Sequence, residues 1–283
     1  MAVVAGADLC VGADAHLLRR AALPSPRGAD DHPSGVRRRV VGVEHGLAAV
    51  APHAGKRLMG GVLKKIRAVL AAPPEPFLVT GRSKRRVQEL VDAAGERAFV
   101  LNVGAGYTFY GPRVVNVDIF DSGTTTIIAS ALALPFADGC ADLVVLQGVL
   151  EHVRDAERTL SECYRVLKPG GLFYTEMPFL QPYHESPIDM RRATRPGLAH
   201  LCAPLEEVES GIHIGPASAM TWMLRELLAQ LISGGSFDIY RRVSSLVGWV
   251  VFPLRYADYA LERIPHLVTI ASSCYYLGRK KPG

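Results

Sequence analysis

The pattern of apolar and polar positions changes character three times along the chain. Residues 1–58 mix Ala, Gly, Pro and Arg with no strand or helix period. The stretch PSPRGADDHPSGVRRR within them is turn and breaker chemistry, so this front segment reads as disordered. Met59 opens a cleaner pattern, and one reading places the front upstream of the natural start. GGVLKKIRAVLAA then has the spacing of a basic amphipathic helix. KRRVQELVDAA predicts a second helix that Ser83 would cap and Gly95 would end. From there short apolar runs alternate with polar or helical stretches. AFVLNV, RVVNV, TTIIA, ADLVVLQ and GLFYTEM predict buried strands. RDAERTLSECYRVL predicts a helix with Val153, Ala156, Leu160, Cys163, Tyr164 and Leu167 on one face, stopped by LKPGG. Such alternation predicts an α/β fold around a mostly parallel sheet. After Glu206, EVESGIHI leads into a long apolar helical zone, residues 216–262, and ASSCYYLGRK reads as a closing strand with a basic exit.

Composition narrows the picture. A chain of 283 residues that is 49% hydrophobic can bury a substantial core. Residues 1–90 hold 15 Lys and Arg against 7 Asp and Glu, a balance of +8; the whole chain is +5, so the remainder is −3. The basic character therefore belongs to the front, where it suits either a solvated segment or contact with nucleic acid or anionic lipid. Five cysteines, Cys10, Cys140, Cys163, Cys202 and Cys274, show no metal-binding spacing and no disulfide framework, so no metal site is expected and a reducing compartment is. Cys163 falls on the apolar face of a helix, as a small core residue would. The first residues lack a basic n-region and contain Asp8 and Asp14, and no run is long enough to span a bilayer. The expected location is cytoplasmic.

The stretch LNVGAGYTFYGPRVVNVD carries the first candidate chemistry. Gly104 and Gly106 directly follow a predicted strand, where a loop with unusual backbone angles lets a ligand approach the main chain. Asp118 ends the next strand, where a carboxylate can accept both hydroxyls of a ribose. The pattern is not a dinucleotide fingerprint: Phe109 stands where a third small residue belongs, and Asp118 follows Gly106 too closely for an ordinary crossover helix. That counts against a nicotinamide-dependent oxidoreductase. Taken alone, the glycine pair fits a cofactor loop or a plain turn.

Its company decides more. ALPFADGCADLVVLQGVLEHV and then ECYRVLKPGGLFYTEMP follow in order, and with the glycine stretch they resemble the class I S-adenosylmethionine-dependent methyltransferases of the small-molecule type, over about residues 97–215. The resemblance implies a Rossmann-like sheet whose last strand is antiparallel, here with a helical insertion before it, and S-adenosylmethionine as cofactor. It implies that Asn102, Gly104 and Gly106 meet the methionine part, that Asp118 binds the ribose, that Ser130, Ala131 and Leu132 line the adenine, and that Gln147, with Gly148 after it, ends the strand beneath the sulfonium. Three positions depart from the family pattern. Asn102 and Ser130 stand where Asp is usual, and Ala141 replaces a Phe before Asp142. The first two departures feed a rival reading, a degenerate relative that serves as an interaction protein. PFLQPYHESPIDMRRAT and the tail resemble a subgroup found beside sugar and cell-envelope genes.

The acceptor side is read from the residues. In the Pro-rich loop after strand five, Tyr183, His184, Asp189, Arg191 and Arg192 can converge. A hydroxyl acceptor must lose a proton, and His184 is the candidate base; the plainer reading makes it a strut beside an Asp189–Arg pair. His152 faces either the acceptor or solvent, and Glu151 and His152 are expected to open the next helix. The expected acceptor is a small or lipid- or sugar-linked molecule, methylated at oxygen. No nucleic acid partner is expected, because QGVLEH holds the place of an Asn-Pro-Pro-Tyr segment. Trp222, Trp249, Phe252 and Tyr256 among arginines in the helical zone fit a cap over the pocket, a subunit contact or the inner face of a membrane.

Overall fold

A computed structural model of the protein describes residues 75–184 and 188–282. The front segment and the basic helix expected at 60–72 lie outside the described residues.

β1 (Val100–Val103) and β2 (Val114–Asp118) are buried along their whole length, as central strands covered on both faces must be. With β3 (Ile127–Ile128), β4 (Ala141–Gln147), β5 (Leu167–Pro178), β6 (Glu206–Ile214) and β7 (Ser273–Arg279) they form one seven-stranded sheet in the order β3-β2-β1-β4-β5-β7-β6. The strands β3 to β5 pair in parallel; β7 is antiparallel to both of its neighbours. This is the mostly parallel sheet that the alternation of elements predicts, with the antiparallel last strand that the resemblance implies. Residues 104–113, between β1 and β2, contain no helix, which matches the short crossover inferred from the Gly106–Asp118 spacing.

Helix α1 (Gly81–Ala93) covers one face, setting Val87, Leu90 and Val91 against Val100, Val114, Leu143 and Val145. Its start corrects one expectation. Val79 bridges Ile214, so the chain leaves extended geometry at Thr80, and Ser83 lies inside the first turn rather than at the cap. On the other face lie α2 (Ala156–Val166) and α3 (Arg195–Leu201). There Ala156, Cys163, Val166 and Leu198 meet Leu101, Val115, Val144 and Phe173. Asp155 caps α2 by accepting the Arg158 N–H at 2.8 Å, worth about 1 kcal/mol. The helix stops at Val166; Leu167, assigned by periodicity to its apolar face, already belongs to β5. Cys163 is buried in this core and burial drives its thiol pKa up, so it is inert packing.

Between β6 and β7 come α4 (Pro216–Ser233), α5 (Phe237–Val251), a 3-10 turn, the short α6 (Asp258–Leu261) and a second 3-10 turn. No described helix is long and apolar enough to cross a membrane.

Candidate functional site

In an open α/β sheet, ligands sit outside the carboxyl ends of the strands where the order reverses, and here that point lies between β1 and β4. The loop after β1 is held from three directions. Gly106 N donates to Asp118 Oδ2 at 2.7 Å, Thr124 Oγ1 donates to the Gly106 carbonyl at 3.2 Å, and Asn116 Nδ2 donates to the Thr108 carbonyl at 2.9 Å. Gly104 and Gly106 both have positive φ, 68° and 53°. A Cβ on Gly104 would lie 2.2 Å from Val149 Cγ2, so the loops after β1 and β4 approach as closely as glycine allows. A Cβ on Gly106 would meet nothing within 4 Å: it would project into open space beside the backbone. The result is a rigid main-chain cradle with room beside it.

The proposed cofactor residues fall into two groups. Gly104, Gly106 and Asp118 meet at this cradle. Asp118 Oδ1 also accepts the Ile119 N–H at 2.7 Å, which fixes the carboxylate, and the exposed Ile119 and Phe120 follow it. Ser130 is exposed at the next turn, its hydroxyl accepting the Leu132 N–H at 3.2 Å, with Ala131 and Leu132 half-buried. Beyond them Leu134 and Phe136 go into the core, so the LPF stretch is packing. The other group faces inward. Asn102 is buried and donates to Asn116 Oδ1 at 3.1 Å, tying β1 to β2 beneath the cradle. Gln147 donates to Glu176 Oε1 at 2.9 Å and accepts from Tyr110. Glu176 also accepts from Tyr174 at 2.7 Å and lies 3.1 Å from His213 Nε2. This polar knot at the ends of β4, β5 and β6 escaped the sequence reading, because its members come from four separate elements.

A second cluster sits beside the cradle. Glu151 and His152 lie in a turn ahead of α2, not in its first turn as expected: Asp155 holds the cap position. His152 Nδ1 is 2.7 Å from the Ile188 carbonyl, which can only accept, so this nitrogen carries the proton. The His152 and His184 rings meet edge to face at 5.4 Å, and Trp222 of α4 lies 5.7 Å from His184. Of the loop residues expected to converge, His184, Asp189 and Arg192 do. Asp189 accepts the His184 backbone N–H at 2.9 Å and a paired hydrogen bond from Arg192, one arm at 2.5 Å. Tyr183 is exposed, and Arg191 turns away to Glu157 at 3.4 Å.

The electrostatics of this cluster are uneven. Burial pushes the Glu151 carboxyl up to about 6, with His152 and Arg192 pulling it down and Asp189 pushing it further up. Its Oε2 is buried without a hydrogen-bond partner among the described residues. Burial also lowers the His184 pKa, against the opposing pull of Asp189, so the ring is neutral at pH 7. A Glu151 oxygen and one ring nitrogen each of His152 and His184 lie within 4.8 Å of one another, a spread that a cation or a polar acceptor could bridge. Trp222 belongs to the helical zone for which the sequence allows a cap over the pocket, and α4 brings it against His184.

Comparison with known proteins agrees with the geometry. A family described as a methyltransferase domain matches residues 107–175, from the cradle loop through Asp118 and the turn of Glu151 into β5. A demethylmenaquinone methyltransferase of Symbiobacterium thermophilum is 37% identical over 73 residues, 26% of this chain and 29% of that one. A probable S-adenosylmethionine-dependent methyltransferase of Mycolicibacterium smegmatis is 36% identical over 76 residues, 26% of this chain and 30% of that one. A malonyl-acyl-carrier-protein O-methyltransferase of Coxiella burnetii is 41% identical over 73 residues, 25% of this chain and 26% of that one. The chain thus spans under a third of the length of these curated relatives. The matched segment carries Asp118, Gln147 and Glu151, and over it the chain is similar to a methyltransferase domain and to S-adenosylmethionine-dependent methyltransferases.

Proposed function

We propose that the protein transfers a methyl group from S-adenosylmethionine to an oxygen of a small or envelope-associated acceptor bound against His152, His184 and Trp222. The observation that carries this reading is the Gly106–Asp118 hydrogen bond. It joins the glycine loop to the acid that follows β2 and makes one preformed cradle beside the β1–β4 crevice. The residues fit the cofactor. Gly104 and Gly106 offer main chain without side chains, Asp118 offers carboxylate lone pairs, and Ile119 and Phe120 offer exposed apolar surface for a base. When bound, the cofactor would supply an electrophilic methyl on a sulfonium, whose sulfur would keep the electron pair of the broken methyl–sulfur bond and leave as a thioether.

The chain's own work is orientation and proton management. Methyl transfer is an in-line displacement, so holding donor and acceptor in register and excluding water supplies much of the rate. His152, His184 and Trp222 form an aromatic wall for the acceptor. As the new C–O bond forms, the acceptor's O–H proton passes to a neutral nitrogen of His184 and then to solvent, while Asp189 and Arg192 hold the loop in place.

Titration calorimetry with S-adenosylmethionine, S-adenosylhomocysteine and NAD tests the cradle. The first two should bind and NAD should not. Asp118→Ala removes charge-assisted hydrogen bonds of about 1.5–3 kcal/mol, so affinity should fall roughly ten- to a hundredfold. Absence of binding by either sulfur ligand would support the interaction-protein reading instead. Metabolite and lipid profiling of a deletion strain would then identify the acceptor.

A further inference from the structure

The helical hairpin before β7 is built inside out. α4 and α5 run antiparallel, with Arg225 Nε donating to Ser244 Oγ at 3.0 Å and the Tyr240 hydroxyl donating to Glu226 at 2.5 Å. The residues buried along the seam are small: Ala229, Ser233, Ser244, Ser245 and Gly248. Many of the large apolar side chains face outward, above all near the tip. Leu231 is 70% exposed, Ile232 59%, Phe237 68%, Leu246 66% and Val250 72%. In water this leaves exposed the groups with most to gain from burial. In lipid it is the normal order, because helices there associate through small residues and turn their apolar side chains to the acyl chains.

Charge says which surface covers the hairpin. Arg241 and Arg242 are exposed just past the tip, Asp238 is the one acid in residues 227–246, and Glu226 is engaged by Arg225 and Tyr240. We propose that the tip of the hairpin, residues 231–239 with the end of α4 and the start of α5, docks into the surface of an anionic bilayer. Leu231, Ile232 and Phe237 enter the acyl boundary, and Arg241 and Arg242 meet head-group phosphates. The hairpin enters the interface without crossing it, since neither helix is long and apolar enough to span.

The base of the hairpin is tied to α6, because Asp258 accepts the N–H groups of Ala217 and Ser218 at 2.8 and 2.9 Å, and to the body, because the Leu78 N–H donates to Ser218 Oγ at 2.9 Å. Trp222 and Leu231 lie on the same helix, about 14 Å apart along its axis. Docking would thus hold the His184–Trp222 wall a short, fixed distance from lipid. That consequence rests on the methyl-transfer reading; the docking itself does not.

Co-sedimentation of the full chain tests this, using vesicles of phosphatidylglycerol with phosphatidylethanolamine against vesicles of phosphatidylcholine. The protein should bind the anionic vesicles at low salt, and added salt should weaken binding without abolishing it. Leu231→Ser with Phe237→Ser should lower the partition coefficient more than tenfold. Arg241→Ala with Arg242→Ala should cost about fivefold per arginine on anionic vesicles only. Circular dichroism and S-adenosylhomocysteine affinity of the variants report separately on folding and on the cradle. Protein that stays in the supernatant with both vesicle types overturns the proposal. So does a wild-type dimer that Leu231→Ser dissociates, since the hairpin is then a subunit contact, or unchanged binding by the folded double-serine variant.

Discussion

Burial favours the neutral form of two side chains in the acceptor cluster, one by shedding its proton and the other by keeping it. His184 must be neutral to take a proton, and burial lowers its pKa from 6.5, so the neutral form persists to lower pH than for an exposed histidine. The acidic limb of the pH–rate profile should therefore lie below 6.5, and His184→Ala should lower kcat by about 10²–10⁴. Chelators should leave the wild-type rate unchanged; a loss that added metal restores would show that Glu151, His152 and His184 hold an ion instead. Glu151 is 3% exposed and its pKa is raised from 4.5 to about 6, so ionising it in the fold costs about 2 kcal/mol. The protonated form is the one the fold favours. Its contribution is complete below pH 4.5 and is lost as pH rises through about 6. Glu151→Gln should accordingly raise Tm at pH 7 by about 4–8 °C and lose that advantage near pH 4.5, while lowering turnover. Differential scanning calorimetry at the two pH values checks it.

At the level of elements, helix α4 depends on one distant carboxylate. Asp258 is fully buried and accepts three hydrogen bonds, from Ala217 N, Ser218 N and Ser218 Oγ, the last at 2.6 Å. It satisfies the free N–H groups of the first turn and places negative charge at the positive end of the helix. A Cβ on Gly215 would lie 2.2 Å from Asp258 Oδ1, so glycine there is what admits the carboxylate. Asp258→Ala leaves these donors buried and unpaired at a cost of about 3 kcal/mol, and Tm should drop by about 6–12 °C in a thermal melt. Because α4 also carries Trp222, the same variant should weaken acceptor binding more than cofactor binding. A drop confined to cofactor affinity would show that α4 does not shape the acceptor side. None of this capping was legible in the sequence. Ser83, a good cap by residue type, sits inside a helix whose start was set by the pairing of Val79 with Ile214, while the working cap of α4 lies far along the chain.

Across the whole molecule, both faces of the described sheet carry a buried apolar cluster. Removing residues 1–58, which have no periodic apolar face to bury, should leave Tm and S-adenosylhomocysteine affinity unchanged; a large drop in either would make the front part of the domain. The sequence by itself determined the elements and much of the cradle. Apolar runs of strand length, LKPGG after a helix and the short Gly106–Asp118 spacing are local signals, and local signals fix the α/β order, the helix-free crossover and the place of the glycine loop at a strand end. It also showed the helical zone before the last strand, because a long apolar stretch is a property of composition. Only the tertiary structure decided what depends on distant parts of the chain meeting. It turned Asn102 and Gln147 inward to Asn116 and Glu176. It brought His152, His184 and Trp222 together from a turn, a loop and a helix. It chose which face of the α4–α5 hairpin is buried, giving the seam to serine, alanine and glycine and leaving leucine and phenylalanine outside. Periodicity states that a helix has an apolar face, but only packing against a neighbour determines whether that face is turned inward or left to meet another phase.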